Sequence, residues 1–183
     1  MINTLEAPVK SSKVTIATAW LDGCSGCHMS FLDIDERLID LAPLIDLVYS
    51  PLVDNKEFPE FVDVTLIEGA IATNEDLDKV RHIRAHTGLL IALGDCAVTT
   101  NVPGMRNPIG LKEVAATAYG SLEALPRVGL PTLLERVQPI HSVVKVDLFV
   151  PGCPPSADAI YYTLSELIAG RMPDLSGRTR FGA

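Results

Sequence analysis

Apolar residues along the chain fall into short continuous runs that alternate with stretches of helical periodicity. Five runs are rich in β-branched or aliphatic residues and stop close to Gly, Pro or polar residues, as is typical of buried strands. These predicted strands cover residues 13–20, 44–49, 62–67, 89–93 and 146–150. Continuous rather than alternating hydrophobicity indicates that both faces of their sheet are covered.

Three helices are predicted between and after these strands. Apolar residues recur at helical spacing from His28 until Pro43, which ends the first helix. Thr73 and Asp76 have the spacing of a capping box at the start of the second helix. Ser156 can cap a third helix that runs through residue 168. Residues 97–141 are expected to be irregular, because five prolines interrupt any long element there.

Strands that alternate with helices predict right-handed βαβ crossovers and a parallel sheet between two helical layers. The fold class is therefore α/β, and a flavodoxin-like three-layer sandwich is the simplest architecture with this order of elements. We expect an N-terminal extension at residues 1–12, one domain at 13–170 and a polar C-terminal tail at 171–183.

The balance of charge and hydrophobicity limits the partners of the chain. Of its 183 residues, 48% are hydrophobic and 21% are charged, and the formal net charge is −8. Phosphates repel an acidic chain that has no run of Lys or Arg, so nucleic acid is an unsuitable partner. The apolar bias instead indicates that a partner subunit covers part of the surface.

The sequence shows no signal for export or for membrane insertion. Its first residues lack a basic start followed by an apolar stretch, no Arg-Arg pair occurs, and no apolar segment is long enough to span a bilayer. We therefore expect a cytoplasmic protein. Cysteines in that compartment stay reduced and usually serve metals or catalysis rather than disulfides.

All four cysteines of the chain follow predicted strands. Cys24 and Cys27 lie in the loop after the first strand, Cys96 follows the fourth and Cys153 follows the fifth. Because parallel strands place their carboxyl ends at one edge of the sheet, this topology brings the loops together. Four thiols at one edge predict a Cys₄ metal site.

The loops around the cysteines have the chemistry that a thiolate cluster needs. Each loop carries glycine, at positions 23, 26, 94 and 152, and glycine allows a sharp turn close to a metal. Cys27 and Cys153 precede predicted helices, whose N-termini favour negative charge. Two prolines follow Cys153, as a proline follows the last cysteine of the ferredoxin run.

Three other interpretations of the cysteines compete with an iron–sulfur cluster. Free thiols are often simply buried, but these four all fall after strands in glycine loops. Structural zinc usually takes two close pairs in a small fold, whereas this chain has one close pair and two separate cysteines. A thioredoxin-like motif uses the spacing of Cys24 and Cys27 but leaves Cys96 and Cys153 unexplained. A cluster on all four accounts for the pattern, and zinc stays as the alternative.

Several motifs together resemble the small subunits of [NiFe] hydrogenases, most closely the cytoplasmic, NAD-reducing bidirectional type. They are WLDGCSGCHMS at residues 20–30, EGA at 68–70, GDC at 94–96 and PGCPP at 151–155. The resemblance extends from about residue 13 to residue 168. Periplasmic relatives differ by an export signal and a C-terminal domain with further clusters. The related quinone-reductase subunit of respiratory complex I has two adjacent cysteines where Cys24 and Cys27 are separated.

The resemblance implies a function in electron transfer. Cys24, Cys27, Cys96 and Cys153 would bind one [4Fe-4S] cluster, proximal to a nickel–iron centre on a separate large subunit. Electrons from H₂ would pass through it to flavin- and iron–sulfur-bearing diaphorase subunits that reduce NAD⁺. The chain would then belong to an H₂:NAD⁺ oxidoreductase without a catalytic site of its own. A cluster-bearing subunit of a complex-I-like quinone reductase and a zinc-stapled interaction protein are the alternatives.

A flavin and the side chain of Glu68 are two further candidates for the same edge of the sheet. FMN on this chain is suggested for the family, but Cys24 and Cys27 occupy the loop that cradles phosphate in flavodoxins, so we expect no flavin. Glu68 ends the third strand and is a secondary candidate, as a neighbour of the cluster, a proton relay or a carboxylate that only orders its loop.

Other polar residues near these loops have simpler expected roles. Asp22 and Asp95 are expected to order turns through their side chains. His28 is expected to start a helix or contact a partner, and Arg106 to contact a partner. The remaining histidines, at positions 82, 86 and 141, are not expected to bind a metal.

Overall fold

The computed structural model describes residues 13–182 and contains seven strands in that range. The extension expected at 1–12 lies outside the described residues. The strands are β1 (Val14–Trp20), β2 (Ile45–Tyr49), β3 (Val62–Glu68), β4 (Ile71–Thr73), β5 (Thr87–Leu93), β6 (Leu133–Gln138) and β7 (Leu148–Val150).

Six α-helices connect or follow the strands within the same residues. They are α1 (Gly26–Leu32), α2 (Arg37–Leu41), α3 (Asn74–Ala85), α4 (Asp95–Thr99), α5 (Leu111–Tyr119) and α6 (Ala157–Ile168). Two 3₁₀ turns lie at Pro103–Arg106 and Ile140–Ser142. Among these helices, none is both long and apolar enough to cross a membrane.

Five strands form one parallel sheet in the order β2-β1-β3-β5-β7. Counted by themselves, they have the order 2-1-3-4-5 of the flavodoxin-like fold. The other two strands, β4 and β6, pair antiparallel in a separate ribbon. The predicted parallel sheet is therefore confirmed, and each of its four adjacent pairs is parallel.

Two hydrophobic layers cover the two faces of this sheet. On one face, Leu66 of β3 and Ile91 of β5 pack in the layer that contains α1, α2 and α6. On the other face, Ile67 and Ala92 pack in the layer that contains α3 and α4. Successive residues of a strand thus enter opposite layers, as the pleat requires. The expected three-layer sandwich is confirmed.

The predicted caps of two helices are also present. The Thr73 hydroxyl accepts a hydrogen bond from the Asp76 backbone N–H at 3.1 Å, and the Asp76 carboxylate accepts one from the Thr73 N–H at 2.9 Å. The Ser156 hydroxyl accepts from the Ala159 N–H at 3.2 Å at the start of α6. These bonds satisfy amides that a helix leaves unpaired at its first turn.

Two predictions of secondary structure are wrong. The helix expected from His28 to Pro43 is two short helices, because residues 33–36 form a turn in which Asp35 has φ 55°. Aspartate tolerates this left-handed conformation, but a right-handed helix cannot contain it. Residues 97–141 are not wholly irregular, since they contain α5 and β6. The prolines of this region fall outside α5 and β6.

Candidate metal centre

The structure places all four cysteines at the carboxyl edge of the parallel sheet. Cys24 lies in the loop between β1 and α1, and Cys27 lies in the first turn of α1. Cys96 lies in the first turn of α4, directly after β5, and Cys153 lies in the loop between β7 and α6. Three loops that are distant in sequence therefore contribute thiols to one edge, as the topology predicts.

Gly94 allows two of these loops to approach each other. It has φ 83° and ψ 161°, a backbone conformation open to glycine almost alone. A Cβ built at this position would collide with Cys27 Sγ, so even an alanine methyl group has no room. The Cys27 sulfur thus packs directly against the backbone that leads to Cys96.

Asp95 joins the loops of Cys96 and Cys153. Its backbone N–H donates to the Gly152 carbonyl at 2.9 Å, and its carboxylate accepts from the Gly152 N–H at 2.7 Å. The second carboxylate oxygen accepts from the Gly182 N–H at 2.7 Å. Asp95 therefore orders these loops through long-range hydrogen bonds, not through the local turn that its position suggested.

Burial and neighbouring groups disfavour free thiolates on two cysteines. Burial raises the pKa of Cys27 far above its ordinary value, and the nearby Glu68 carboxylate, Cys96 and Cys24 raise it further. Burial also raises the pKa of Cys96, although the Val102 backbone N–H acts in the opposite direction. A nucleophilic cysteine of the thioredoxin type needs a lowered pKa. This arrangement instead suits thiolates that a bound metal deprotonates.

A buried polar cluster adjoins Cys27. The His28 backbone N–H donates to Glu68 Oε2 at 3.0 Å, and the His28 ring Nδ1 lies 3.3 Å from the same oxygen. The ring Nε2 lies 2.9 Å from Thr18 Oγ1, which donates to Ser50 Oγ at 2.7 Å. Glu68 Oε1 is buried without a hydrogen-bond partner among the described residues. The same carboxylate is close enough to Cys27 to raise the pKa of that thiol.

His28 and Arg106 both make contacts within this chain. His28 belongs to α1, but it is buried inside this chain and packs edge-on against Trp20 rather than presenting an exposed surface. Arg106 donates to the backbone carbonyls of Leu134 and Glu135, at 2.7 and 3.2 Å. Its guanidinium therefore anchors β6 within the chain.

Asp22 and the remaining histidines make contacts of other kinds. The backbone of Asp22 forms two hydrogen bonds with Ala70, which close the loop after β1. His82 and His86 stack on each other, and His141 packs against Phe149.

Asn101 is a residue of this edge that sequence reasoning missed. Its side-chain Nδ2 lies 3.4 Å from Cys153 Sγ, as a donor to that sulfur. The sequence gives no motif for it, because the contact spans the loop after α4 and the loop after β7. Only the fold brings the two together.

The spacing of the ligating groups does not match a single ion. Among residues 13–182, no three of the His, Cys, Asp and Glu side chains converge on one ion position. A zinc ion would need all its ligands at about 2.0–2.3 Å. A polynuclear cluster instead takes one thiolate at each corner, and four cysteines at one edge match that ligand set.

Exposed apolar side chains surround the thiols. Cys24 and Cys153 are themselves exposed. Trp20, Met29 and Val102, from three neighbouring segments, are exposed as well. Large apolar groups around a polar centre are typical of a surface that another protein covers.

Most of the chain matches one protein family. The family described as NADH ubiquinone oxidoreductase, 20 Kd subunit, matches residues 24–167. The NAD-reducing hydrogenase HoxS subunit delta of Cupriavidus necator is 41% identical over 175 residues, in a match that covers 91% of this chain and 84% of that subunit. A subunit of the F420-non-reducing hydrogenase vhu of Methanococcus voltae is 38% identical over 90% of this chain, and the chain spans 60% of that relative.

Two solved structures that resemble this chain are also hydrogenases. A chain of an NAD⁺-reducing [NiFe]-hydrogenase in the H₂-reduced state has a TM-score of 0.87 and 39% identity, over 92% of this chain and 99% of that chain. A [NiFeSe]-hydrogenase of Dm. baculatum has a TM-score of 0.54 and 19% identity, over 93% of this chain and 70% of that chain, so it shares the fold alone.

Proposed function

Since this chain belongs to the family of the NADH ubiquinone oxidoreductase 20 Kd subunit and is similar over most of its length to a NAD-reducing hydrogenase subunit, we propose that it is the electron-transfer small subunit of a NAD-reducing [NiFe] hydrogenase. Its ligands for one [4Fe-4S] cluster are Cys24, Cys27, Cys96 and Cys153. The observation that carries the proposal is the position of these four thiols, which three loops bring to one edge of the sheet.

The donor set and its surroundings fit a cluster. Four thiols match the usual ligands of a cubane, which accepts and releases one electron when bound. Because Gly94 has no side chain, the space beside Cys27 stays open. Cys27 also lies in the first turn of α1. Burial of Cys27 keeps water away from one side of the site.

The residues of this chain bind and tune rather than catalyse. The Asn101 amide and the Asp95 hydrogen bonds fix the position of Cys153 and its loop. Glu68 holds the start of α1 beside Cys27 and is a secondary site residue through that contact. We assign no catalytic group to this chain, and H₂ activation belongs to a partner.

The proposed partners are a large subunit with the nickel–iron centre and diaphorase subunits that reduce NAD⁺. The exposed thiols Cys24 and Cys153 and the apolar side chains around them leave the edge open to such a partner. A cytoplasmic location stays a prediction, as does the absence of a flavin on this chain.

A complex-I-like quinone reductase is the second candidate, because the matching family is named after such a subunit. The separation of Cys24 and Cys27 by two residues favours the hydrogenase, since the quinone-reductase motif has adjacent cysteines. Quinone-dependent rather than H₂-dependent reduction by the purified complex would favour the second candidate.

Substitution of one ligand tests the proposal. In the assembled complex, Cys96→Ser is expected to remove or convert the cluster and to abolish H₂-dependent NAD⁺ reduction, because serine does not replace the thiolate. Thr99→Ser, in the same helix, keeps the hydroxyl that donates to the Asp95 carbonyl and is the control. A Cys96→Ser complex with wild-type turnover and spectrum would overturn the ligand assignment.

A further inference from the structure

The loop after α4 has an unusual backbone. Thr100 has φ 74° and Asn101 has φ 36°, so two consecutive residues other than glycine adopt left-handed conformations. Such conformations are costly for side chains with a Cβ, and they persist where the surroundings hold them. Asparagine is among the residues that tolerate this region best.

This backbone directs two N–H groups at two different sulfurs. The Asn101 side-chain Nδ2 lies 3.4 Å from Cys153 Sγ. The next residue, Val102, presents its backbone N–H to Cys96. Two thiols from separate loops therefore receive donors from one short segment.

The side-chain amide of Asn101 can donate a hydrogen bond to the sulfur in one orientation only. A thiolate accepts hydrogen bonds and cannot donate, so the NH₂ group and not the carbonyl oxygen must face it. A bond from a neutral donor to an ionised acceptor is stronger than one between neutral groups. Asn101 is half-buried and Cys153 is exposed, so the bond between them lies at the surface of this chain.

We propose that Asn101 sets the reduction potential of the cluster by donating its side-chain N–H to the Cys153 thiolate. The inference rests on the proposed function, because it requires a cluster on these cysteines. One-electron reduction adds negative charge that the sulfurs share. A donor to sulfur stabilises the reduced form more than the oxidised form and makes the potential more positive.

Two variants separate the effect of the Asn101 side-chain donor from the effect of the backbone conformation at this residue. Asn101→Gly removes the side chain but adopts left-handed φ freely, so the loop keeps its path. Asn101→Asp keeps the shape but replaces the donor with an acceptor and adds a negative charge. The control Asn55→Asp adds the same charge to an exposed residue of the loop after β2, the strand at the opposite end of the sheet from β7.

The measurement is a redox titration of the anaerobically purified complex with dithionite and mediators, followed by EPR of the reduced cluster, together with iron and sulfide content. Asn101→Gly is expected to retain iron and shift the midpoint potential to a more negative value. Asn101→Asp is expected to shift it further in the same direction, and Asn55→Asp to leave it unchanged.

The outcomes distinguish this inference from the proposed function. An unchanged potential in an Asn101→Gly complex that retains its iron overturns the role of Asn101 and leaves the cluster assignment intact. A wild-type complex without iron or a reduced-cluster signal overturns the proposed function and this inference with it. A negative shift in both Asn101 variants, with the control unchanged, supports the inference.

Discussion

The space beside Cys27 Sγ depends on Gly94, which has no side chain. Gly94→Ala is expected to lower the iron content of the complex, because the new methyl group collides with Cys27 Sγ. The substitution also forces alanine into a glycine conformation, at a cost of about 1–3 kcal/mol. Iron and sulfide analysis of the purified complex, with its EPR signal, measures the effect.

Gly110→Ala is the matched control for Gly94→Ala. Gly110 has φ 95° and ψ 147°, close to the backbone angles of Gly94, and it precedes α5 as Gly94 precedes α4. A Cβ at Gly110 has no neighbour within 4 Å. The control carries the same backbone strain without the collision, so it is expected to retain its iron. Equal loss of iron in both variants would contradict the steric account.

Single residues also show what sequence reasoning can and cannot find at the site. The four cysteines were predictable because each follows a strand, and the topology determines where strand ends meet. Asn101 and the long-range bonds of Asp95 were not, because their partners lie 52 and 57 residues away in sequence. A residue pair of that separation has no local pattern to reveal it.

Among the elements, α3 depends most visibly on its cap. Thr73→Ala is expected to destabilise the start of this helix by about 1 kcal/mol, because the Asp76 N–H loses its acceptor. Hydrogen exchange of the complex measures this locally, and the peptide over 74–85 is expected to exchange about fivefold faster. Thr117→Ala, which removes a hydroxyl within α5, should leave that peptide unchanged. Unchanged exchange in Thr73→Ala would contradict the capping role.

The sequence predicted the elements that have a strong hydrophobic pattern and missed those that lack one. The five parallel strands are continuous apolar runs, and such runs predict buried strands. β4 has three residues and is too short for a periodicity to appear. The break between α1 and α2 depends on one backbone conformation, at Asp35, whereas the apolar spacing continues across it. Hydrophobic pattern thus finds the core and misses local turns.

At the scale of the molecule, the carboxyl edge should be the surface that a partner covers. Three methionines have similar exposure in this chain: Met29 at 59%, Met105 at 70% and Met172 at 60%. Met29 and Met105 lie in segments next to the cysteine loops, whereas Met172 follows the far end of α6. In the assembled complex, peroxide is therefore expected to oxidise Met29 and Met105 several-fold more slowly than Met172. Mass spectrometry of the digested complex gives the rates. Equal rates at all three would contradict a partner at this edge.

The iron, acid-labile sulfide and zinc content of the anaerobically purified complex, with low-temperature EPR of the reduced state, tests the central claim most directly. The account predicts about four irons and four sulfides attributable to this subunit, with the signal of a reduced cluster that Cys96→Ser removes. Zinc in their place, without sulfide or signal, would contradict it and leave the four cysteines as a structural staple.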